Sequence, residues 1–272
     1  MEVHSRQTAA NSRVRLKTIA LPVEHGGWGF LFEPIVLALL VVPTPGGIYL
    51  SVTAIFAFLL RHPLKLFLKH REQWTRSTRG RVALRVVLLY GGAAFLGLVS
   101  TIRVSGIGPV LPVLVASPFI VVYLFYDSKN QTRALLSELA GPLGLAAVAP
   151  AIALVGDWSW PRASVLWIIL VARTIPSISY VRARLRLERG RPFARTPVLL
   201  LHLAFIIALS TLAWFDRIPF LAVVALLILI GRAILGLSRY RRFKRARQIG
   251  FMEIGYGLIY VLVTAVGYWL DG

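Results

Sequence analysis

Long apolar runs alternate with short basic connections along most of the chain. The runs span residues 27–43, 46–60, 82–101, 107–125, 135–156, 163–181, 196–214, 219–236 and 250–270. Most of them approach the roughly 20 residues that a helix needs to cross about 30 Å of hydrocarbon. The pattern therefore predicts an all-α integral membrane protein with about nine transmembrane helices.

The organisation around these runs predicts two parts. Residues 1–24 are polar and basic, and the apolar run that follows them has no small-x-small cleavage site. This pattern predicts a cytoplasmic basic N-terminal segment followed by an uncleaved first span. No low-complexity linker divides residues 25–272, which we interpret as a single polytopic transmembrane domain.

The composition supports a lipid environment. The 272 residues are 57% hydrophobic and their mean hydropathy is +0.72, which is more apolar surface than one soluble core can bury. A net charge of +20 would fit nucleic acid, but the basic residues lie in short clusters between the runs, so no nucleic-acid partner is expected. The sequence has no cysteine, which excludes disulfides and thiolate chemistry.

The positive charges favour one orientation. Of the 31 lysines and arginines, 25 lie in alternate connections, at residues 6–17, 61–81, 129–133, 182–195 and 239–247. The intervening connections hold only Arg103, Arg162 and Arg217. The positive-inside rule then predicts a cytoplasmic N-terminus and, with an odd number of spans, an external C-terminus. The last cluster predicts a surface patch that contacts membrane lipid with anionic head groups.

Charged residues also occur within the runs, where they are costly and usually face a cavity or a partner. They are Glu33, Arg85, Glu138, Arg173, Arg232 and Glu253. In the predicted orientation all of them lie between the membrane centre and the cytoplasmic side. For Glu33 and Arg173 we favour a polar cavity that opens to the cytoplasm and holds the head of an amphiphile. The alternative is that these charges pair with one another or reach to the interface.

Two motifs contain further candidates. The segment PVEHGGWGF (22–30) places Glu24 and His25 beside flexible glycines, where an imidazole and backbone amides could contact one ligand. It is equally consistent with a glycine-rich helix start and an aromatic anchor. The chain has no G-x-S-x-G nucleophile motif, so a hydrolase triad is not expected.

The second motif, YDSKNQTRALLSELAG (126–141), is unusually polar for a short connection. Lys129 and Arg133 are candidates for holding a phosphate, with Tyr126 beside them. Asp127 and Glu138 are candidates for holding a cation or accepting a proton. The alternative is an ordinary polar connection that follows the positive-inside rule.

Basic residues elsewhere extend the candidate head-group site. Tyr180 and Arg182 follow Arg173 within the run TIPSISYVRARLRLERGRPF (174–193). Arg61 and Lys65 lie in RHPLKLFLKHREQW (61–74), which is predicted to lie along the membrane surface. Together these side chains could hold an anionic head directly, although residues 61–74 are at least as consistent with a topology anchor.

Three motifs support a family resemblance. EHGGW, YDSKNQTR…SELAG and SYVRARLR together resemble the YwiC-like family of bacterial membrane proteins, which implies a location in the bacterial plasma membrane. More distantly, nine spans with long inner connections after the second and sixth are similar to the UbiA superfamily of intramembrane prenyltransferases. Tyr126, Lys129, Arg133 and Gly141 are similar to a tyrosine, basic and glycine pattern of that superfamily.

The superfamily resemblance implies a prenyl diphosphate bound through magnesium by Asp-rich motifs. At the corresponding positions this chain has RHPLKLFLKHRE (61–72) and RTIPSISYVRARL (173–185), in which basic groups replace the carboxylates. The closest acidic residues in the whole chain, Glu24 and Glu33, are far apart for one metal cluster. Magnesium thus follows from the distant resemblance alone, and no Asp-rich motif supports it.

Three functions follow as hypotheses. The first is a UbiA-like bundle of prenyltransferase type that binds an isoprenoid or another amphiphilic anion, with His25, Glu33 and Glu138 handling protons or a metal. The second is a carrier of a small organic anion. The sequence shows neither an inverted repeat nor paired broken helices, which argues against a carrier. The third is a non-catalytic subunit that binds lipid or assists assembly.

Overall fold

The computed structural model describes residues 25–69 and 78–271, and within these ranges the chain is helical with short connections and no strand. The α-helices are α1 (His25–Val41), α2 (Pro45–Lys69), α3 (Thr78–Ser105), α4 (Leu111–Val115), α5 (Ser117–Ser128), α6 (Leu135–Ala146), α7 (Val148–Val155), α8 (Trp160–Glu188), α9 (Arg195–Trp214), α10 (Phe220–Gly236) and α11 (Ala246–Asp271). A short 3-10 helix, Gly108–Val110, precedes α4. The N-terminal segment 1–24 lies outside the described residues.

All nine predicted apolar runs fall on these helices. In the described ranges six helical units are long and apolar enough to cross a membrane: Pro45–Leu68, Gly80–Ser105, Leu135–Val155, Trp160–Glu188, Arg195–Trp214 and Ala246–Asp271. A seventh is added if the bent pair Gly108–Val115 and Ser117–Ser128 forms one span, whereas Gly27–Val41 and Phe220–Gly236 are shorter. The all-α, multi-pass architecture is confirmed. Nine crossings, the UbiA-like bundle and the orientation of the termini stay predictions.

Prolines explain the two interruptions in the middle of the chain. The helix axis bends by 50° at Ala116, just before Pro118, which has no N–H to donate and whose ring crowds the carbonyl four residues earlier. Pro150 likewise lies just after the boundary between α6 and α7 at Ala147, where its ring crowds the carbonyl of Ala146. These breaks shorten the straight helices without ending the apolar run.

The core forms where α7 and the first half of α8 pack among the other helices. α7 contacts α1, α2 and α8, while α8 also contacts α6, α9 and α10. Ala149, Ala151 and Ala153 on α7 are fully buried, and such small side chains let helix backbones approach closely. α3 and α9 lie at the periphery with many exposed leucines and phenylalanines. Such faces suit contact with hydrocarbon.

The packing of α2 on α3 depends on one glycine. At Gly97 a Cβ would lie 2.8 Å from the backbone oxygen of Tyr49 and 2.6 Å from Oγ1 of Thr53. At Gly92, on the same helix, a Cβ would meet nothing within 4 Å. Gly97 therefore allows a close approach that any side chain would prevent.

We predict that Gly97→Ala lowers the stability of the purified protein by about 1–3 kcal/mol, because the backbone of Tyr49 cannot move aside independently. Thermal unfolding in mild detergent, followed by tryptophan fluorescence, measures this. Gly92→Ala is the matched control and should leave the midpoint unchanged or slightly raised. Equal midpoints for the two variants would contradict the packing described here.

Candidate functional site

Two ion pairs from four helices meet inside the bundle. Oε1 of Glu33 (α1) lies 2.7 Å from Nη2 of Arg173 (α8), and Oε2 of Glu253 (α11) lies 2.5 Å from Nη1 of Arg232 (α10). Arg173 also donates through Nη2 to the backbone oxygen of Glu253 at 3.2 Å. These four residues form what we call the buried charge network. Both guanidinium side chains are only 2% exposed.

Aromatic rings and a hydroxyl surround the two guanidinium groups. Arg173 lies over Phe30 at 5.2 Å, and Arg232 lies over Tyr180 at 4.3 Å and over Tyr256 at 5.3 Å. A guanidinium is attracted to the electron-rich face of such rings, most strongly where water is excluded. Nη2 of Arg232 also donates to the hydroxyl of Ser177 at 3.3 Å. These contacts hold each charge in a fixed orientation.

Two hydrogen-bond donors of the buried charge network have no partner among the described residues. The Nε atoms of Arg173 and Arg232 are buried and have no acceptor among the described residues. Buried donors of this kind are rare in native structures and commonly face an ion, a ligand or water. Phosphate oxygens are strong acceptors for arginine donors. The arrangement could therefore bind an anion beside its two carboxylates or in place of one of them.

A glycine brings α11 against the Glu33–Arg173 pair. At Gly257 a Cβ would lie 2.7 Å from Nη2 of Arg173 and would overlap the carboxylate of Glu33. Gly257 and Glu253 are four residues apart and so lie on the same face of α11. This face of α11 carries the carboxylate of Glu253, and at Gly257 it leaves room for the Glu33–Arg173 ion pair.

Three further ion pairs lie toward the helix ends near the buried charge network. Nζ of Lys65, near the end of α2, lies 2.9 Å from Oδ1 of Asp127 and donates to its backbone oxygen at 2.6 Å. Arg61 lies over the ring of Tyr123 at 4.9 Å. A Cβ at Gly141 would lie 2.9 Å from that ring, so α5 and α6 are in close contact here. These contacts join α2 to the polar connection at residues 126–141.

The same connection is joined to α8 on its other side. Nη1 of Arg182 lies 2.5 Å from Oε2 of Glu138 and donates to the backbone oxygen of Arg133 at 3.2 Å. Lys129 is exposed and lies over Phe125 at 4.1 Å, and Tyr126 packs edge-on against the same ring. Asp127 and Glu138 thus point to different helices, and each one meets a basic partner.

The third pair lies within α8. Nη2 of Arg184 is 2.6 Å from Oε1 of Glu188, and both side chains are buried. Arg184 also donates to the backbone oxygens of Gly236 and Arg242. This pair therefore ties the end of α10 to α8.

The structure places the predicted site residues as follows. Glu33 and Arg173, for which a cavity was favoured, contact each other directly, as in the alternative interpretation of the in-span charges. Arg232 and Glu253 pair with each other. Arg85 lies on an exposed face of α3.

Two of the predicted site residues cannot be placed in this way. Glu24 lies outside the described residues, and His25 begins α1 without a described side chain. The hypothesis for EHGGW stays a prediction.

Several members of the site did not enter the sequence-based set. Ser177, Tyr256 and Gly257 surround the two arginines. Arg232 and Glu253 were named only among the in-span charges, for which pairing with one another or a reach to the interface was considered. The four-residue spacing of Glu253 and Gly257 on an apolar helix indicates that both residues lie on one face of that helix. Ser177 and Tyr256 carry no such signal, because their role depends on which helices become neighbours.

Magnesium, as the superfamily resemblance implies it, does not fit the residues that the structure describes. Within the described ranges no three histidine, aspartate or glutamate side chains converge on a common point. The acidic residues near the site are each engaged by a basic side chain: Glu33, Asp127, Glu138, Glu188 and Glu253. These engaged carboxylates do not form a set of free ligands for a magnesium ion.

The apolar helices define a multi-pass, helical membrane-type protein. Residues 21–153 match the family model described as YwiC-like protein. The match includes EHGGW and the whole connection at 126–141, and it confirms the resemblance to the YwiC-like family over that part of the chain. No curated protein and no solved structure matches the chain.

We predict that Gly257→Ala destabilises the protein by about 1–3 kcal/mol, because the added methyl group would separate Glu33 from Arg173. Gly255→Ala, two residues earlier on α11, is the control, since a Cβ there meets nothing within 4 Å. Thermal unfolding in detergent compares the two variants. Equal unfolding midpoints for the two variants would show that α11 is not in close contact with the Glu33–Arg173 ion pair.

We predict that Glu33→Leu alone costs about 3–5 kcal/mol, because it leaves the guanidinium of Arg173 buried without its carboxylate. Combining it with Arg173→Leu should recover most of that loss, since no unpaired charge remains. Unfolding midpoints of both single variants and the double variant provide the test. Purely additive losses would mean that the two side chains are not coupled.

Proposed function

We propose that this protein binds the charged head of an isoprenoid or another amphiphilic anion within the bundle, as a UbiA-like protein of prenyltransferase type. The observation that carries the proposal is the pair of buried guanidinium groups, Arg173 and Arg232, whose Nε donors have no acceptor among the described residues. An anionic head would supply acceptors to both arginines at once. The apolar tail would remain among the surrounding helices.

The charge distribution supports an anionic ligand. The helix ends nearest the buried charge network carry most of the basic residues, whereas the opposite connections hold only Arg103, Arg162 and Arg217. An anion that approaches from the basic side is attracted before it reaches Arg173 and Arg232. In the predicted orientation that side is cytoplasmic.

The ion pairs suggest how binding could be linked to proton transfer. A phosphate oxygen that contacts Arg173 competes with the carboxylate of Glu33 for the same donors. Displacement of Glu33 would free its carboxylate to accept a proton from the ligand. Glu138, which pairs with Arg182 at a more exposed position, is the second candidate. In this scheme arginines take the place of metal ions in holding the head group.

The proposal is tested by purifying the protein in mild detergent and identifying co-purified lipids by mass spectrometry. We expect an isoprenoid or another anionic amphiphile to be enriched over bulk membrane lipid with the wild-type chain. The enrichment should be lost with the double variant Glu33→Leu and Arg173→Leu, which is expected to stay folded. The matched control, Arg217→Leu, removes an exposed arginine at the opposite end and should retain the ligand.

Equal enrichment in the wild-type and double-variant samples would refute a site at the buried charge network.

A second experiment, in reconstituted vesicles, distinguishes an enzyme from a carrier. Release of diphosphate from an added isoprenyl diphosphate, with transfer of the isoprenyl carbon to an added nucleophilic acceptor, is expected for a transferase. Both should be abolished in the double variant. Uptake of the intact anion into the vesicles without diphosphate release would identify a carrier instead.

A further inference from the structure

The connection between α10 and α11 concentrates positive charge outside the proposed site. Residues 239–247, RYRRFKRAR, contain six arginines and lysines, and no acidic residue occurs from 234 to 252. We call residues 239–247 the basic connection. Arg239, Arg242, Arg245 and Arg247 are all exposed. The charges of the basic connection are therefore not neutralised by acidic residues of the same segment.

A buried arginine holds this connection in place. Arg184 on α8 donates to the backbone oxygen of Gly236, at the end of α10, and to that of Arg242 at 2.6 Å. Its own charge is balanced by Glu188 at 2.6 Å. The carbonyl groups at a helix end lack partners within the helix, and a guanidinium is well suited to bind them. Arg184 thus fixes both the end of α10 and the basic connection against α8.

Exposed aromatic side chains accompany the charges. Tyr240 is 77% exposed and Phe243 is 71% exposed. The guanidinium of Arg239 lies over Tyr240 at 4.9 Å, and that of Arg247 lies over Phe251 at 5.4 Å. Aromatic rings next to basic groups are typical of segments that lie at the level of lipid head groups. Two apolar helices, α10 and α11, enter the bundle directly from this connection.

We propose that the basic connection binds the head groups of anionic phospholipids in the adjacent leaflet. The arginines supply donors to the phosphates, and Tyr240 and Phe243 insert between the lipids. The occupant is lipid because the flanking helices place the connection at the membrane surface and because its exposed side chains combine charge with apolar rings. This surface is separate from the buried charge network, so either proposal can fail while the other stands.

The test compares phosphatidylglycerol with phosphatidylcholine on the full-length protein. Spin-labelled versions of the two lipids are mixed into reconstituted vesicles, and electron paramagnetic resonance measures the fraction of each that the protein immobilises. We expect phosphatidylglycerol to be preferred. The triple variant R239Q, R242Q and R245Q should remove most of the preference, because loss of three basic groups from an anionic surface lowers the affinity by about a hundredfold.

The matched control removes the same charge from the opposite end through R103Q, R162Q and R217Q, which alters three exposed arginines. It should retain the wild-type preference. A preference that survives in the first triple variant, or falls equally in both, would overturn the proposal. Inorganic phosphate should weaken the preference no more than potassium chloride of equal ionic strength. A stronger effect of phosphate would indicate a site for free anions and would also overturn the lipid assignment.

Discussion

Arginine side chains in the middle of a hydrocarbon-embedded bundle must meet carboxylates, and this constraint organises the structure around Arg173 and Arg232. Their partners, Glu33 and Glu253, come from helices at the two ends of the described chain. Removing one member of such a pair is far more costly than removing both. The pairs thus fix how α1, α8, α10 and α11 pack. The absence of a side chain at Gly257 provides the space that this arrangement needs.

The same pairing determines which chemistry the site can support. Each acidic residue near the site is held by a basic side chain, so a carboxylate becomes available only when another anion takes its place. This favours direct binding of an anionic head by arginine over binding through a metal cluster.

The two proposed anion-binding regions lie at different depths. Arg173 and Arg232 lie within the bundle, whereas the basic connection at 239–247 lies at the helix ends with its aromatic rings exposed. Arg184, between them on α8, is occupied with backbone carbonyls and Glu188. In the two proposals, phospholipid and a particular amphiphile would therefore contact different side chains at different depths.

The sequence by itself determined the helical, multi-pass character of the protein. Run length, hydropathy and the spacing of basic clusters are local properties, and the prolines near Ala116 and Ala147 likewise mark the breaks locally. The partners of the charges in the buried charge network were decided only by tertiary structure. Glu33 meets Arg173, and Arg184 meets the end of α10, because helices distant in sequence became neighbours. That choice depends on packing across several helices, which no local pattern specifies.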